Sequence, residues 1–525
     1  MFTDKFQNKL RSERLIILSL FLLALVIRLI ALEHIYLIAR DGAKYVYLSQ
    51  LYLSGSFFEG LSHPYHPLYP ALMALVGKVT GNVELTGKLI SLTLSSLTVI
   101  PLYLIGRFLY DSKVGVMGGL FFVFQPYCVR FSVDVLSDST FLFFFVLAFY
   151  LGLKAGREEK NNKWWSLGAG VSAGLAYLTR PEGIFVIFFL LGWYLWRWIF
   201  TRRNAIANTL TVMGILLLAF SILAGPYVFF IKSHTGRWQI SMKPSVLKAF
   251  QISAPPGKIK RTAISSLPPA QKKEKGSLVF APAKKKESFQ SANLWRRVTY
   301  PLLKFIETYH YLLFLFLLIG IWSRNKNEVG NPGGIIFGFL LVYLLCLCYL
   351  YHVVSYVSRR HFAPLITISL PLAGIGFWEV QKRFSEWIGR LNNRWGGLLT
   401  NYAVIIILLI TVLTLIPKAL KPQRTKQLPL KEAALWINEN GRTPDPVIMS
   451  NEPLVAYYAG GKHLYIPGIT YKKFIPFLRR KKVDYVVFGE RDIKRGAQFL
   501  TRLQPDHFRQ APFESRKVLV YEVIR

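Results

Sequence analysis

A succession of apolar windows, each near the ~20 residues that an α-helix needs to cross a bilayer, limits what this chain can fold into. The windows lie near residues 15–32, 88–108, 114–129, 139–155, 164–179, 184–199, 209–231, 309–322, 334–351, 362–379 and 402–417. They predict a polytopic α-helical membrane protein with about eleven transmembrane helices. The segment Met1 to Arg14 carries four Lys or Arg and runs into an apolar stretch too long for a signal-peptide core. It reads as an uncleaved anchor with its N-terminus inside. Alternation from that start places the loops 109–113, 156–163, 200–208, 323–333 and 380–401 in the cytoplasm. The loops 33–87, 130–138, 180–183, 232–308 and 352–361, and the tail from 418, then lie outside.

Charge agrees with that parity. The formal net charge is +37, from 65 Lys and Arg against 28 Asp and Glu, which in a soluble chain would point to nucleic acid. Here basic clusters at Lys154 to Lys163, Arg197 to Arg203 and Gln381 to Arg394 fall in cytoplasmic loops, as the positive-inside rule requires, where they meet anionic lipid. Nucleic acid is therefore not the expected partner; membrane lipids are. The long loop 232–308 is also basic, with Lys272, Lys273, Lys275 and Lys284 to Lys286. Loops longer than about 60 residues cross regardless of charge, so it does not overturn the topology.

From about residue 425 the pattern changes to short helical stretches and strand-like runs at Val447 to Met449, Val483 to Phe488 and Val518 to Ile524. This predicts a C-terminal extracytoplasmic α/β domain over 418–525, following a membrane domain over 1–417 whose outer loops are 33–87 and 232–308. The tail lacks a phosphate-binding loop and a nucleophile motif, which leaves it a structural or acceptor-docking role. Gly460 and Gly461 read as a turn.

Three features mimic sites. Gly168, Gly170 and Gly174 approach a dinucleotide fingerprint, but they sit in an apolar segment and follow no strand, so they read as small residues packing one helix on another. His63 and His66 are separated by Pro64 and lack an adjacent acidic third ligand, which ranks a metal site low. Cys128, Cys346 and Cys348 form no CxxC pair and read as packing residues. No cofactor motif is present, and a divalent metal is left open.

Ionisable groups at membrane helix ends are costly and mark function. Alternation puts Asp41, then Arg130, Asp134 and Asp138, then Arg180 and Glu182, then Arg359, Arg360 and His361 on one face, from four separate loops. Arg180-Pro181-Glu182-Gly183 interrupts two short apolar runs, where a hydrophilic turn must be buried in protein or line a cavity. Carboxylates and guanidiniums together suit an anionic lipid headgroup, because Arg grips phosphate through forked hydrogen bonds.

Over roughly residues 10–380 the chain resembles the protein-mannosyltransferase-like GT-C glycosyltransferases, a family that includes the lipid A aminoarabinose transferases. Four patterns carry the likeness: Arg40-Asp41-Gly42-Ala43-Lys44-Tyr45 after the first helix, His63-Pro64-Tyr65-His66-Pro67-Leu68-Tyr69-Pro70 at the end of the first outer loop, Leu136-Ser137-Asp138-Ser139-Thr140-Phe141 at the start of the fourth helix, and the Arg-containing turns Arg180-Pro181-Glu182-Gly183 and Ser358-Arg359-Arg360-His361-Phe362-Ala363-Pro364. Some members carry Lys in place of His66, and Glu is commoner than Asp138. The Trp-Trp-Asp motif of oligosaccharyltransferases is absent, since Trp164-Trp165 is followed by Ser166.

The resemblance implies a GT-C fold and an inverting transfer of a sugar from a polyprenyl-phosphate donor to a protein, glycolipid or polysaccharide. The site would face outward from the cytoplasmic membrane. It makes Asp41 the catalytic base and Tyr45, His66, Asp138, Arg180, Glu182, Arg359, Arg360 and His361 the substrate-binding candidates. Arg180, Arg359, Arg360 and His66 would hold the phosphate, while Asp138 and Glu182 orient those cations or the sugar. A transporter of lipid-linked sugars is the alternative; it should show charge on both faces or internal repetition. Cysteine-accessibility labelling in intact cells tests the topology: positions near 160, 202 and 390 should be protected, and Asp41 and the tail labelled from outside. A protected tail would overturn the placement of the site.

Overall fold

The computed structural model describes residues 2–157, 161–201, 206–249, 294–323, 332–389, 394–467, 471–494, 503, 505–513, 515 and 517–524. The lysines of the long loop, at 272–286, and the expected cytoplasmic positions 160, 202 and 390 lie outside the described residues. The chain divides into two compact units. One holds residues 1–34, 45–254 and 292–421, and the other residues 35–44 and the tail from 422. Residues 35–44 group with the tail rather than with the residues that flank them in sequence.

The first unit is a bundle of long apolar helices. Among the described residues, eight are long and apolar enough to cross a membrane, from Ser12–Leu32 to Tyr402–Ala419, or up to ten if each of two bent pairs counts as one span. On the first span, Leu15, Leu18, Leu22, Val26 and Leu29 are exposed, while Leu20, Ala24, Arg28 and Ala31 are buried. This spacing of three or four residues leaves one face for lipid and one for the bundle. The helix Asn162–Thr179, expected as a span, falls short of that apolar standard. Its face of Ala169, Ala173, Ala176 and Tyr177 is fully buried, so it has less need of a lipid-compatible surface. Gly170 and Gly174 let it approach the helix Ile206–Thr235: a Cβ at Gly170 would strike the Leu216 carbonyl, and one at Gly174 would press on Leu223. The glycine-rich stretch is therefore a packing seam.

The bent pairs have local causes. Ser112–Phe124 and Pro126–Ser132 meet at 58° around Gln125. Pro126 occupies the first helical turn, which pushes the preceding residue into extended backbone, and the Gln125 side chain caps the new helix by accepting from the Cys128 N–H at 2.8 Å. Its amide nitrogen also donates to the Thr308 carbonyl at 2.8 Å. The pair Arg297–Tyr309 and Tyr311–Ser323 breaks by 104° at His310, whose φ is +78°.

The expected first outer loop is mostly helical: Arg40–Leu53, Phe57–Leu61 and Leu68–Thr80 precede a span that opens at Val83 rather than near 88.

The second unit contains a five-stranded sheet, β1 (Val447–Ser450), β2 (Lys462–Leu464), β3 (Tyr485–Gly489), β4 (Phe508–Gln510) and β5 (Val518–Val523), in the order β2-β1-β3-β5-β4. β1 runs parallel to β2 and β3, whereas β5 is antiparallel to β3 and β4. Alternate residues face opposite cores. Ile448, Tyr485, Val487 and Val520 pack with Ala433, Ile437 and Val455, whereas Met449, Val486 and Phe488 pack with Phe474 and Leu478. The three expected strands are β1, β3 and β5; β2 and β4 are too short to stand out in sequence. Gly460, at φ +68°, turns the chain into β2, as expected.

A close helix crossing joins Tyr311–Ser323 to Ala363–Gly389. A Cβ on Gly320 would collide with the Leu372 carbonyl, and one on Gly376 with that of Phe316. Backbone cannot yield as a flexible side chain does. Gly320→Ala and Gly376→Ala should each cost about 1–3 kcal/mol or more, read as a lower unfolding temperature in detergent. Unchanged stability would show that the helices do not pack this closely.

Candidate functional site

Two turns of the membrane unit bring most of the candidate residues together. Arg180 caps the helix Asn162–Thr179 in extended backbone, and Pro181 opens a single 3₁₀ turn. Gly183 is required there, because a Cβ would strike the backbone of Ala176 and Tyr177 where the chain folds back on the helix just left. The second turn, Arg359–Phe362, is closed by a capping box. The Ser358 N–H donates to His361 Nδ1 at 3.0 Å, and the Ser358 hydroxyl lies at the same distance from that nitrogen.

Between these turns stands Asp138, in the first turn of the helix Asp138–Arg157, where the helix dipole favours a carboxylate. Oδ1 accepts from Arg180 Nη1 at 2.5 Å, while Oδ2 accepts from Arg360 Nε at 2.7 Å and Nη2 at 2.6 Å. Arg180 also forks onto Glu182, with Nη2 to Oε1 at 2.8 Å and Nε to Oε2 at 3.3 Å. His361 completes the chain. Its Nδ1 is an acceptor for the Ser358 N–H, so the proton resides on Nε2, which faces Glu182 Oε1 at 3.8 Å. Side-chain exposure is 5% for Asp138 and 6% for Arg180, against 22% for Arg360 and 27% for Glu182. The network is thus sealed at one end and open at the other.

The remaining candidates go elsewhere. Arg359, expected beside Arg360 at the phosphate, turns to Glu307, which Lys304 also meets at 3.2 Å. Arg359 and Lys418 stand 5.1 and 5.2 Å over the Tyr127 ring, and Arg130 donates to the Lys418 carbonyl at 3.3 Å. His66, expected on the carrier phosphate, is 1% exposed. Its Nδ1 donates to the Tyr177 carbonyl at 2.6 Å and its Nε2 accepts from the Ser241 hydroxyl at 3.1 Å. Burial pushes its pKa down to about 3, so it is neutral at physiological pH and both ring nitrogens are engaged. Its ring packs edge-on to Tyr177 and Tyr227. Tyr45 is buried too, its hydroxyl 2.7 Å from that of Ser137 and its ring edge-on to Tyr65 and Tyr69. It braces the residue before Asp138. Asp134 is fully buried and accepts from the N–H of Val135 at 2.9 Å. Asp41 belongs to the other unit, in the first turn of Arg40–Leu53.

Lys243 escaped the sequence reading. Its ammonium stands 5.6 Å over the Tyr65 ring, and it interacts electrostatically with Glu182 and His66. Nothing near it in sequence marks it, because the long loop is basic throughout. Among the described residues no three His, Cys, Asp or Glu side chains gather as a metal site would require.

The described residues thus form a bundle of helices apolar enough to cross a membrane and a unit that carries an α/β sheet. Residues 62–229 match the family model for dolichyl-phosphate-mannose-protein mannosyltransferases, a stretch that includes Asp138, Arg180 and Glu182 but not Asp41. The chain is similar to the crystal structure of ArnT from Cupriavidus metallidurans bound to undecaprenyl phosphate, with TM-score 0.62 and 13% identity over 97% of this chain and 98% of that one. It is also similar to the oligosaccharyltransferase AglB from Archaeoglobus fulgidus in complex with an inhibitory peptide and a dolichol-phosphate, with TM-score 0.56 and 12% identity over 91% of this chain and 70% of that one. No curated protein matches by sequence. Residues 62–229 thus resemble the protein-mannosyltransferase family, and the chain as a whole shares its fold with ArnT and AglB.

Removing one partner from a buried ion pair leaves an uncompensated charge, at a cost of about 3–5 kcal/mol. Asp138→Ala should therefore lower stability by about that amount, because it leaves the Arg180 and Arg360 guanidiniums with Glu182 as the one carboxylate of the network. Glu307→Gln, in a cluster whose members are about one-third exposed, should cost no more than about 1 kcal/mol. Thermal unfolding of both variants checks the contrast, and equal losses would contradict it.

Proposed function

We propose that this chain is an inverting glycosyltransferase that moves a hexose or pentose from a polyprenyl-phosphate carrier to an acceptor hydroxyl or phosphate at the extracytoplasmic face of the cytoplasmic membrane. The observation that carries the reading is the network around Asp138. It is a half-sealed set of cations and carboxylates on two interhelical turns, in a fold shared with a protein solved with undecaprenyl phosphate. The partners are accordingly a lipid-linked sugar donor and a protein, glycolipid or polysaccharide acceptor.

Polyprenyl phosphate is already a good leaving group, so the reaction needs a base more than an acid. Asp41 takes the acceptor's proton as the acceptor oxygen bonds to the anomeric carbon. The bond from that carbon to the phosphate oxygen breaks, its electron pair leaves with the phosphate, and the configuration inverts. Arg360, at the open end of the network, is the cation best placed to stabilise that charge, with Lys243 beside Glu182 as a second. Arg180 has a different part: enclosed by Asp138 and Glu182, it fixes both carboxylates.

Asp41→Asn keeps the side chain's size and removes its capacity to take a proton. Sugar transfer in a reconstituted assay should fall by about 100- to 10,000-fold with donor binding intact. Arg360→Ala should instead raise the donor concentration needed for half-maximal rate. Near-normal transfer by Asp41→Asn would remove the base and move a transporter of lipid-linked sugars ahead.

A further inference from the structure

Residues 35–44 are held by the C-terminal domain through their main chain. Ile35 pairs with Gln423 in a parallel bridge, Arg424 donates to the Leu37 carbonyl at 2.6 Å, and Lys431 donates to the Tyr36 carbonyl at 2.9 Å. The Ile38 N–H donates to the Tyr458 hydroxyl at 3.1 Å. Leu37 and Ile38 are buried at 1% and 0% exposure. Two residues further on, Arg40 reaches Glu452 at 2.9 Å, immediately before Asp41.

The place where Arg40 lands has a known chemical bias. Glu452 follows the carboxyl end of β1, its N–H held by the Ser450 hydroxyl at 3.1 Å. Beside it Asn451 donates to Asp492 at 2.7 Å, and Asp492 accepts from the Gly489 N–H at the end of β3 at 3.1 Å. His463 of β2 donates from Nε2 to the Ser450 carbonyl at 2.9 Å. The connection from β1 to β2 runs through Leu454–Tyr458 on one face of the sheet, and that from β2 to β3 through Tyr471–Arg480 on the other. The carboxyl ends of β1 and β3 are therefore the topological switch point, where open α/β sheets take their ligands. Here the chain's own Arg40 pairs with Glu452, two residues past the end of β1.

We propose that the C-terminal domain positions the candidate base: the carboxyl-end edge of its sheet takes the Arg40–Asp41 segment as an internal ligand, and Glu452 is a positioning residue that shares Arg40 with the Asp41 carboxylate. This rests on the reading of Asp41 as base. With Arg40 half exposed, its ion pair adds little to folding, so the main-chain contacts carry the tether and Glu452 tunes the charge. The charged and titratable groups around Arg40 are Asp41 and Lys44 on its own helix, and Glu452, His463 and Tyr465 from the sheet edge. Neutralising Glu452 removes a negative charge from the neighbourhood and leaves Arg40 to Asp41. Both effects favour the carboxylate, lower its pKa and weaken it as a base.

The test uses the purified full chain with a polyprenyl-phosphate sugar donor. Glu452→Gln should lower kcat about three- to tenfold at unchanged donor KM, and shift the acid limb of the pH profile to lower pH; Glu452→Asp should recover most of the rate. A purely structural loss would not move the limb. Wild-type kcat and pH profile in Glu452→Gln, with Asp41→Asn inactive, would overturn the positioning role and leave the base in place. An active Asp41→Asn would sink the base itself. Tyr458→Phe and Arg424→Met give a readout independent of activity, since amide exchange over residues 35–38 should accelerate in both. Unchanged exchange would refute the tether.

Discussion

Asp138 can be buried in a membrane protein because two guanidiniums meet its two oxygens. One carboxylate against Arg180 and Arg360 leaves an excess positive charge, and Glu182 offsets it from the far side of Arg180. Each group would be prohibitive alone in a medium of low dielectric, and together they are tolerated only in this geometry. Much follows from that constraint. The turn after Thr179 must double back, which requires Gly183, and the turn at Arg359–Phe362 must be capped so that Arg360 and His361 approach together. The buried Tyr45–Ser137 contact fixes the residue that precedes Asp138.

Consecutive arginines show how finely the chain divides its charge. Arg360 enters the half-sealed network, while Arg359 goes to Glu307, where Lys304, Lys418 and Arg130 also gather near Tyr127. The first group is half-sealed, and its two guanidiniums are balanced by two carboxylates that share them. The second is more exposed, and water and salt can screen its surplus of cations. A third solution appears at Arg28, fully buried on the inner face of the first span. It has the Ser95 hydroxyl at 2.9 Å, the Ala24 carbonyl at 3.1 Å and the Phe122 ring at 5.1 Å. Dipoles and an aromatic face substitute there for a carboxylate.

The C-terminal domain uses ordinary α/β physics: alternate residues of its strands feed two cores, and the carboxyl ends of β1 and β3 are left for recognition. What it recognises here is part of the same chain, nearly 400 residues earlier in sequence. A domain whose own sequence carries no catalytic motif can thus matter to catalysis by what it holds.

Most of the helices could be read from the length of the apolar windows alone, and β1, β3 and β5 from short β-branched and aromatic runs, because burial in lipid or in a sheet is a local demand on composition. The same holds for the shortlist of charged turns, since a charge at a helix end is conspicuous against an apolar background. Only the tertiary structure decided which of those charges meet. Asp138 finds Arg180 at 42 residues' separation and Arg360 at 222, and adjacent sequence says nothing of either. His66 looked like a phosphate ligand, yet its burial against Tyr177 makes it neutral. Lys243 was hidden in a uniformly basic loop, and residues 35–44 group with the tail because it satisfies their main chain. Hydropathy is a property of each segment, whereas pairing of charges and of backbone groups is a property of the neighbours the fold supplies.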